Sequence, residues 1–327
     1  MKILITGAAG FIGSHLVEYH LGLKRTVYGL DNLATGSLSN IKAFLGHPNF
    51  HFIQDDLLTF SDLDQLVSTV DQIYHMAAVV GVFEVIENPE KVLLVNINST
   101  QRILKAVIPL QKKPRLMMAS TSEVYGPMHS CPLKEDSELI VSEIETNRCS
   151  YAVSKIAGES YVNTYMHQYK LPATILRLFN TIGPRQTGRY GMVVPRFVGK
   201  AVNHKPMVLY GTGEQTRCFI DVRDSVVLLD KIAHAESLIG ETINVGYDQE
   251  ISIKALALII KKLAKSPSQI KNVSFEEAYG EAFIDFKERK PDLTKLRQHI
   301  DYTIGWDLMK TLKNLIDTYQ LDKHSSD

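Results

Sequence analysis

The sequence predicts an α/β protein: a doubly wound parallel sheet followed by a smaller α/β unit toward the C-terminus. Three observations point there. Short apolar runs recur between stretches of helical periodicity, and strands that alternate with helices imply parallel βαβ units. The first run enters a glycine-spaced turn, Gly7-Ala8-Ala9-Gly10-Phe11-Ile12-Gly13, that opens a helix near Ile12. Beyond Leu178 the alternation loosens, with Gly-Pro at 183 and 184 and a Tyr210-Gly211-Thr212-Gly213 turn between shorter elements.

The predicted strands are Lys2–Thr6, Arg25–Leu30, Phe50–Gln54, Gln72–Met76, Arg115–Ser120 and Ala173–Leu178. Each is short and apolar, as expected of a strand covered on both faces. Residues 1–178 are expected to form the nucleotide-binding domain and 179–327 mainly the substrate-binding domain, with some later segments returning to the first. The acidic segment from Pro127 to Asn147 is long for a loop and sits between two predicted elements.

With 327 residues, 45% of them hydrophobic, the chain can bury one large core or two joined ones. Lysine plus arginine and aspartate plus glutamate both total 36, so no global field gathers nucleic acid or an anionic membrane, and an anionic ligand must be held locally. No signal-peptide pattern and no long apolar run is evident, which makes a soluble, cytoplasmic protein the expectation. Cys131, Cys149 and Cys218 fit neither a disulfide framework nor a zinc site, and no metal is expected.

The cofactor site follows from the first turn. Gly7 and Gly10 would let backbone approach a pyrophosphate at the N-terminus of a helix, and Gly13 would let that helix pack closely. The next strand ends in Asp31, followed by Asn32. An acid about 20 residues beyond the glycines accepts hydrogen bonds from the ribose hydroxyls and repels a 2′-phosphate, which favours NAD over NADP.

The glycine spacing, together with motifs along nearly the whole chain, resembles the extended short-chain dehydrogenase/reductase family, in its epimerase/dehydratase group of nucleotide-sugar enzymes. That resemblance implies a Rossmann-type NAD-binding domain. It assigns Phe11 and Ile12 to the cofactor turn, Asp56-Leu57 to the adenine, Met76-Ala77-Ala78 to the fourth strand end beside the cofactor, and Asn96 to the helix asparagine. Relatives often form homodimers through a four-helix bundle, and the run Val92-Leu93-Leu94-Val95 with Ile103, Leu104 and Val107 would suit such a contact.

Ser150-Tyr151-Ala152-Val153-Ser154-Lys155 contains Tyr-x-x-x-Lys, whose i, i+4 spacing puts both side chains on one helix face. A phenol is a poor base at neutral pH, and a neighbouring ammonium and a cationic nicotinamide would bring Tyr151 toward working range. The resemblance implies that Lys155 also holds the nicotinamide ribose and that Thr121 hydrogen-bonds the reacting oxygen.

Arg177-Leu178-Phe179-Asn180-Thr181-Ile182-Gly183-Pro184-Arg185 is similar to the family's R-x-x-N-x-x-G-P-R stretch, in which the asparagine touches the nucleotide diphosphate. Val194, Tyr210, Gln215 and Arg217 match segments around base and phosphates, and Arg217 offers a charged fork suited to a diphosphate. A UDP-sugar is the expected substrate, with thymidine- and GDP-sugars left open.

The family begins by oxidising the sugar at C4 with tightly held NAD and diverges afterwards. Thr121-Ser122-Glu123 resembles the UDP-glucuronic acid decarboxylases, whereas dehydratases carry Asp-Glu after the threonine. Arg289-Lys290-Pro291 is similar to a segment whose arginine binds substrate and, in the decarboxylases, reprotonates the sugar after carbon dioxide leaves. UDP-glucuronate decarboxylation is therefore the leading reading. A UDP-sugar 4-epimerase stands beside it, and a 4,6-dehydratase or a catalytically silent NAD-binding protein stand further off. The stretch Thr187–Pro195 departs from the decarboxylases and leaves the sugar open.

Overall fold

A computed structural model describes residues 1–127, 131–141, 149–188, 192–274, 277 and 287–324. Most of the acidic segment's second half and residues 189–191 of the divergent stretch lie outside them. The first unit runs β1 (Lys2–Thr6), α1 (Phe11–Gly22), β2 (Thr26–Asp31), β3 (Phe50–Gln54), α2 (Leu63–Thr69), β4 (Gln72–His75), α3 (Val82–Glu87), α4 (Pro89–Val107), β5 (Arg115–Thr121), α5 (Ser150–Tyr169) and β6 (Ala173–Leu178). There follow β7 (Thr181–Ile182), α6 (Val193–Val202), β8 (Met207–Tyr210), β9 (Thr216–Cys218), β10 (Ile220–Asp221), α7 (Val222–His234), β11 (Thr242–Val245), β12 (Glu250–Ser252), α8 (Ile253–Leu263), β13 (Ile270–Val273), α9 (Thr294–His299) and α10 (Leu308–His324).

Seven parallel strands form the sheet in the order β11-β6-β5-β4-β1-β2-β3. Six are the predicted runs, shifted by a residue at some ends. The seventh, Thr242–Val245, is too short to stand out as a run, yet all but its first residue are buried. It pairs with β6 from Thr242 opposite Ile175 to Val245 opposite Leu178. Helix α7 also returns, packing on α1. The chain is thus doubly wound, and its order reverses between β1 and β4, where the crevice at the strand ends opens.

Strand β5 is buried along its whole length, as a central parallel strand must be. It ends in Ser120 and Thr121, and Thr121 caps the short 3-10 turn Ser122–Tyr125 by accepting the Glu123 amide at 3.2 Å. The smaller unit folds around α6, α8 and α10, whose Val194, Phe197, Leu256 and Leu312 share one core. Among the described residues its strands pair as β10–β7, β12–β9 and β13–β8.

The positions considered for a helical dimer contact behave otherwise. Val92, Ile103, Leu104 and Val107 are fully buried in this chain's own core, because α4 packs on α5 and α2. Of the run, Leu94 is exposed.

Behind the end of β5 lies a buried ion pair. Arg177 Nε and Nη2 donate to Glu159 Oε1 and Oε2 at 3.0 and 2.8 Å, and the Ser120 hydroxyl donates to Glu159 Oε1 at 2.5 Å. Both side chains are over nine-tenths buried, so neither charge has water to replace its partner. Removing Glu159 alone (Glu159→Ala) should destabilise the protein by about 3–5 kcal/mol in denaturant unfolding, whereas Glu159→Leu with Arg177→Met should recover most of that. A loss below about 1 kcal/mol would mean the pair contributes no more than a surface bridge.

Candidate active site

The strand ends and the smaller unit line a cleft of about 990 Å³. One end is shaped by absent side chains. Gly7 has φ +71°, and a Cβ there would lie 2.9 Å from the Ala77 nitrogen; at Gly13 a Cβ would fall 2.0 Å from the Gly7 carbonyl oxygen. Gly13 therefore clears the carbonyl of the turn itself, where the spacing alone had suggested close packing of the helix on the strand. The turn closes with the Gly7 amide donating to the Leu30 carbonyl at 2.8 Å, which ties it to β2.

Asp31 is buried at the end of β2. Its carboxylate accepts the Ala9 amide at 2.9 Å and the Leu33 amide at 2.7 Å. Burial raises its pKa and these two amides oppose the rise. Asp31 therefore holds the glycine turn as well as facing the cleft, with acceptor sites left for a ligand. Beside it the Asn32 amide donates to Asp56 at 2.9 Å, and Asp56 caps the turn to Leu58 at 2.8 Å.

Beneath the turn, Thr6 accepts the Ala77 amide at 3.2 Å and meets His75 Nδ1 at 2.9 Å; His75 Nε2 lies 3.3 Å from Thr100, whose hydroxyl donates to the Asn96 carbonyl. Because the Thr100 hydroxyl gives its proton to the Asn96 carbonyl, it can only accept from Nε2, which puts the ring proton there and leaves Nδ1 to accept from Thr6. Burial holds His75 neutral, its pKa lowered to about 3. Asn96 does not line the cleft. Its amide accepts from Val79 N at 2.7 Å and donates to Val79 O at 3.1 Å and Ser154 Oγ at 3.0 Å, so it fastens the cleft wall to α5.

Tyr151 and Lys155 sit one helical turn apart on α5, and both line the cleft. Lys155 Nζ donates to the Ala119 carbonyl at 2.9 Å and lies 5.9 Å from the Tyr151 ring centre. Burial lowers Lys155 to about 8, with the Glu159 carboxylate opposing. Burial raises Tyr151 above its ordinary value, the Glu123 charge adds to the rise, and a hydrogen bond with Thr121 opposes it. Tyr151 packs against Val79, Val85 and Val92, which supplies the desolvation. The expectation from the sequence was a phenol lowered by the lysine and a cationic nicotinamide together; the protein's own surroundings, burial and Glu123, raise it.

Glu123, half-exposed, stands with its Oε1 3.9 Å from Arg289 Nη1, and the Arg289 side chain is nearly buried. Two residues 166 positions apart in the chain are thus paired at the cleft wall, among Thr121, Ser122 and Tyr151. The distal end gathers Asn180, Val194, Tyr210, Gln215 and Arg217. Asn180 Nδ2 donates to the Cys218 carbonyl at 3.2 Å, Gln215 Nε2 to the Tyr210 carbonyl at 3.2 Å, and Arg217 Nη1 to the Thr216 carbonyl at 2.7 Å. Phe11, Ile12, Leu57, Met76, Ala77 and Ala78 line the other end.

Sequence reasoning missed Arg196. Its guanidinium lies 5.1 Å over the Tyr210 ring and donates to the phenol oxygen at 2.6 Å, putting another cation in the distal wall. A single arginine in an apolar helix carries no spacing signal that would have found it.

The cradle cleared by Gly7 and Gly13, with the Asp31 carboxylate at the neighbouring strand end, fits a dinucleotide. The comparisons agree. The model of the NAD dependent epimerase/dehydratase family matches residues 3–246. The chain is 37% identical over 309 residues to UDP-N-acetyl-alpha-D-glucosaminuronate decarboxylase of Bacillus cytotoxicus, covering 94% of each. It is 36% identical over 306 residues to UDP-glucuronic acid decarboxylase 1 of Xenopus tropicalis, covering 94% of this chain and 68% of that one. Among solved structures, UDP-glucuronic acid 4-epimerase from Bacillus cereus with UDP-glucuronic acid and NAD superposes with a TM-score of 0.88 at 29% identity, covering 98% of this chain and 99% of that one. The chain belongs to the NAD dependent epimerase/dehydratase family, and its cofactor is NAD.

Proposed function

We propose that the protein is a decarboxylase of a UDP-linked uronic acid, UDP-glucuronate or its 2-acetamido counterpart, and that it works through transient oxidation at the sugar's C4. The observation that carries this reading is the Glu123–Arg289 pair, 3.9 Å apart beside Tyr151. The names of the two decarboxylase relatives, at 37% and 36% identity, support it.

Bound NAD supplies a hydride acceptor and returns the hydride at the end. The turn at Gly7, Gly10, Phe11, Ile12 and Gly13 would hold its pyrophosphate, Asp31 and Asn32 its ribose, and Asp56 with Leu57 its adenine. Tyr151 takes the proton from the C4 hydroxyl and later gives it back. Its phenol is pushed upward by burial, so it serves as a base only when positive charge stands near, from Lys155 and the nicotinamide ring. Thr121 accepts the Glu123 amide with its oxygen, and its one proton, directed to the Tyr151 oxygen here, would be shared with the sugar O4 when substrate binds.

Once C4 is a ketone, the C5 carboxylate stands β to it. The C–C bond to the carboxylate breaks, its electron pair forms an enolate, and carbon dioxide leaves. Arg289 would set a cation beside that enolate, and Glu123, 3.9 Å away, would orient it. A proton from solvent, guided to C5 beside Arg289, would quench the enolate, and return of the hydride to C4 would leave NAD unchanged overall. Asn180, Arg217 and Tyr210 would hold the diphosphate and base. The same reading has the enzyme acting as a homodimer.

The test is direct. UDP-glucuronate and UDP-N-acetylglucosaminuronate are incubated separately with the NAD-loaded protein, and products are read by mass spectrometry and proton NMR. Loss of the mass of carbon dioxide from either supports the reading. An unchanged mass with an inverted C4 proton would overturn it in favour of a 4-epimerase.

Two variants separate the steps. Tyr151→Phe should fold, bind NAD and lose turnover by about a hundredfold or more. Arg289→Ala should still oxidise C4 but accumulate NADH or a keto-sugar, and normal product formation would return Arg289 to a binding role. For the cofactor, Asp31→Ala should narrow the preference for NAD over NADP measured by titration; an unchanged ratio would mean that another residue reads the ribose.

A further inference from the structure

We infer that Asn244 is the positioning residue that fixes Glu123 and Arg289 against each other, and so governs what becomes of the sugar after C4 is oxidised. The second half of that statement rests on the decarboxylase reading; the first half stands on geometry alone.

Asn244 lies in β11, at the far edge of the sheet, with no exposed surface. Its side chain reaches in two directions. Oδ1 accepts the Tyr125 hydroxyl at 2.6 Å. Nδ2 donates to the Leu133 carbonyl at 2.9 Å and to the Asp292 carbonyl at 3.2 Å. The Asn244 backbone amide donates to Glu135 Oε1 at 2.9 Å, adding a further tie to the segment around Leu133.

Each arm leads to one member of the pair. Tyr125 closes the 3-10 turn Ser122–Tyr125, which carries Glu123. Asp292 follows Arg289 by three residues, and between them the Leu133 amide donates to the Lys290 carbonyl and the Asp292 amide to the Leu133 carbonyl, both at 2.8 Å. Leu133 and Pro291 form a parallel bridge there. The segment bearing Arg289 is thus laced to residues 133–135, and both are hung from the amide that also holds the turn bearing Glu123.

The chemistry demands an amide. Asn244 offers one acceptor to a phenol and two donors to two carbonyl oxygens, and all three are used. Aspartate would set a carboxylate against those two carbonyls; leucine would leave a buried phenol and two carbonyls without this partner. The strand does not need the side chain, because β11 is held to β6 by backbone pairing. None of these hydrogen bonds goes to Thr121, Tyr151 or Lys155, which are secured through the Glu123 amide, α5 and the Ala119 carbonyl. Tyr151 and Lys155 are thus fastened independently of Asn244, and Thr121 meets the Asn244 network only at the Glu123 amide, a contact that neither an Asn244 nor a Tyr125 substitution removes.

The experiment uses the NAD-loaded enzyme with Asn244→Asp, and Tyr125→Phe as a second variant that cuts only the arm to the turn. Hydrogen exchange by mass spectrometry should quicken about tenfold in peptides spanning 131–135 and 288–293 of Asn244→Asp, and at the 122–125 turn of Tyr125→Phe, while β1 and β4 stay protected. In single turnovers with UDP-glucuronate and its 2-acetamido analogue, C4 oxidation should stay within about threefold of wild type while final product falls about tenfold and NADH accumulates. Unchanged exchange in these segments, or oxidation and product formation falling together, overturns the proposal. If Asn244→Asp does not fold, Tyr125→Phe decides by the same two readings. A wild type that releases no carbon dioxide sinks the decarboxylase reading, while the exchange measurement still decides whether Asn244 anchors the two segments.

Discussion

A parallel sheet makes every strand leave at the same edge, and the rest of this protein depends on that constraint. Because β1, β2, β4, β5 and β6 all run one way, their following turns deliver the glycine cradle, Asp31, Met76 to Ala78, Thr121 and Asn180 to one rim. The reversal of strand order between β1 and β4 parts the helices above that rim and leaves room for a ligand. The cleft is thus a consequence of connectivity before any side chain is chosen.

Desolvation then sets the chemistry. The same dry wall that raises Tyr151 lowers Lys155 to about 8, since burial penalises whichever form is charged. Left to itself the pair drifts toward neutrality. Glu159 counters this for Lys155, and it can do so as a carboxylate deep in the protein because Arg177 and Ser120 satisfy it. A buried charge pair several residues from the cleft therefore bears on a group within it. For Tyr151 the hydrogen bond with Thr121 works against the rise, while Glu123 adds to the effect of burial.

The smaller unit supplies what the sheet cannot. It lays Tyr210, Gln215, Arg217 and Arg196 against the distal end, and its connection back through residues 287–293 brings Arg289 to Glu123. Segments far apart in the chain are laced together here by buried side-chain hydrogen bonds more than by sheet pairing, as at Leu133, Asn244 and Asp292. Such contacts position groups without burying much apolar surface, so they leave little mark on the pattern of hydrophobic residues.

The sequence by itself determined the local parts: six strands from their apolar runs, the cofactor turn from glycines at positions 7, 10 and 13, the acid ending β2, and the Tyr151/Lys155 face from helical spacing. These signals are legible because each depends on residues within one turn or one strand of each other. What tertiary structure decided lies at long range. It recruited the short strand Thr242–Val245 to the sheet edge and turned Val92, Ile103, Leu104 and Val107 into the chain's own core. It took Asn96 out of the cleft lining to tie Val79 to α5, and set Arg196 on Tyr210 and Arg289 on Glu123. Periodicity says that a residue faces inward, but only packing decides what it meets there, because the partner comes from a part of the chain whose position no local pattern fixes.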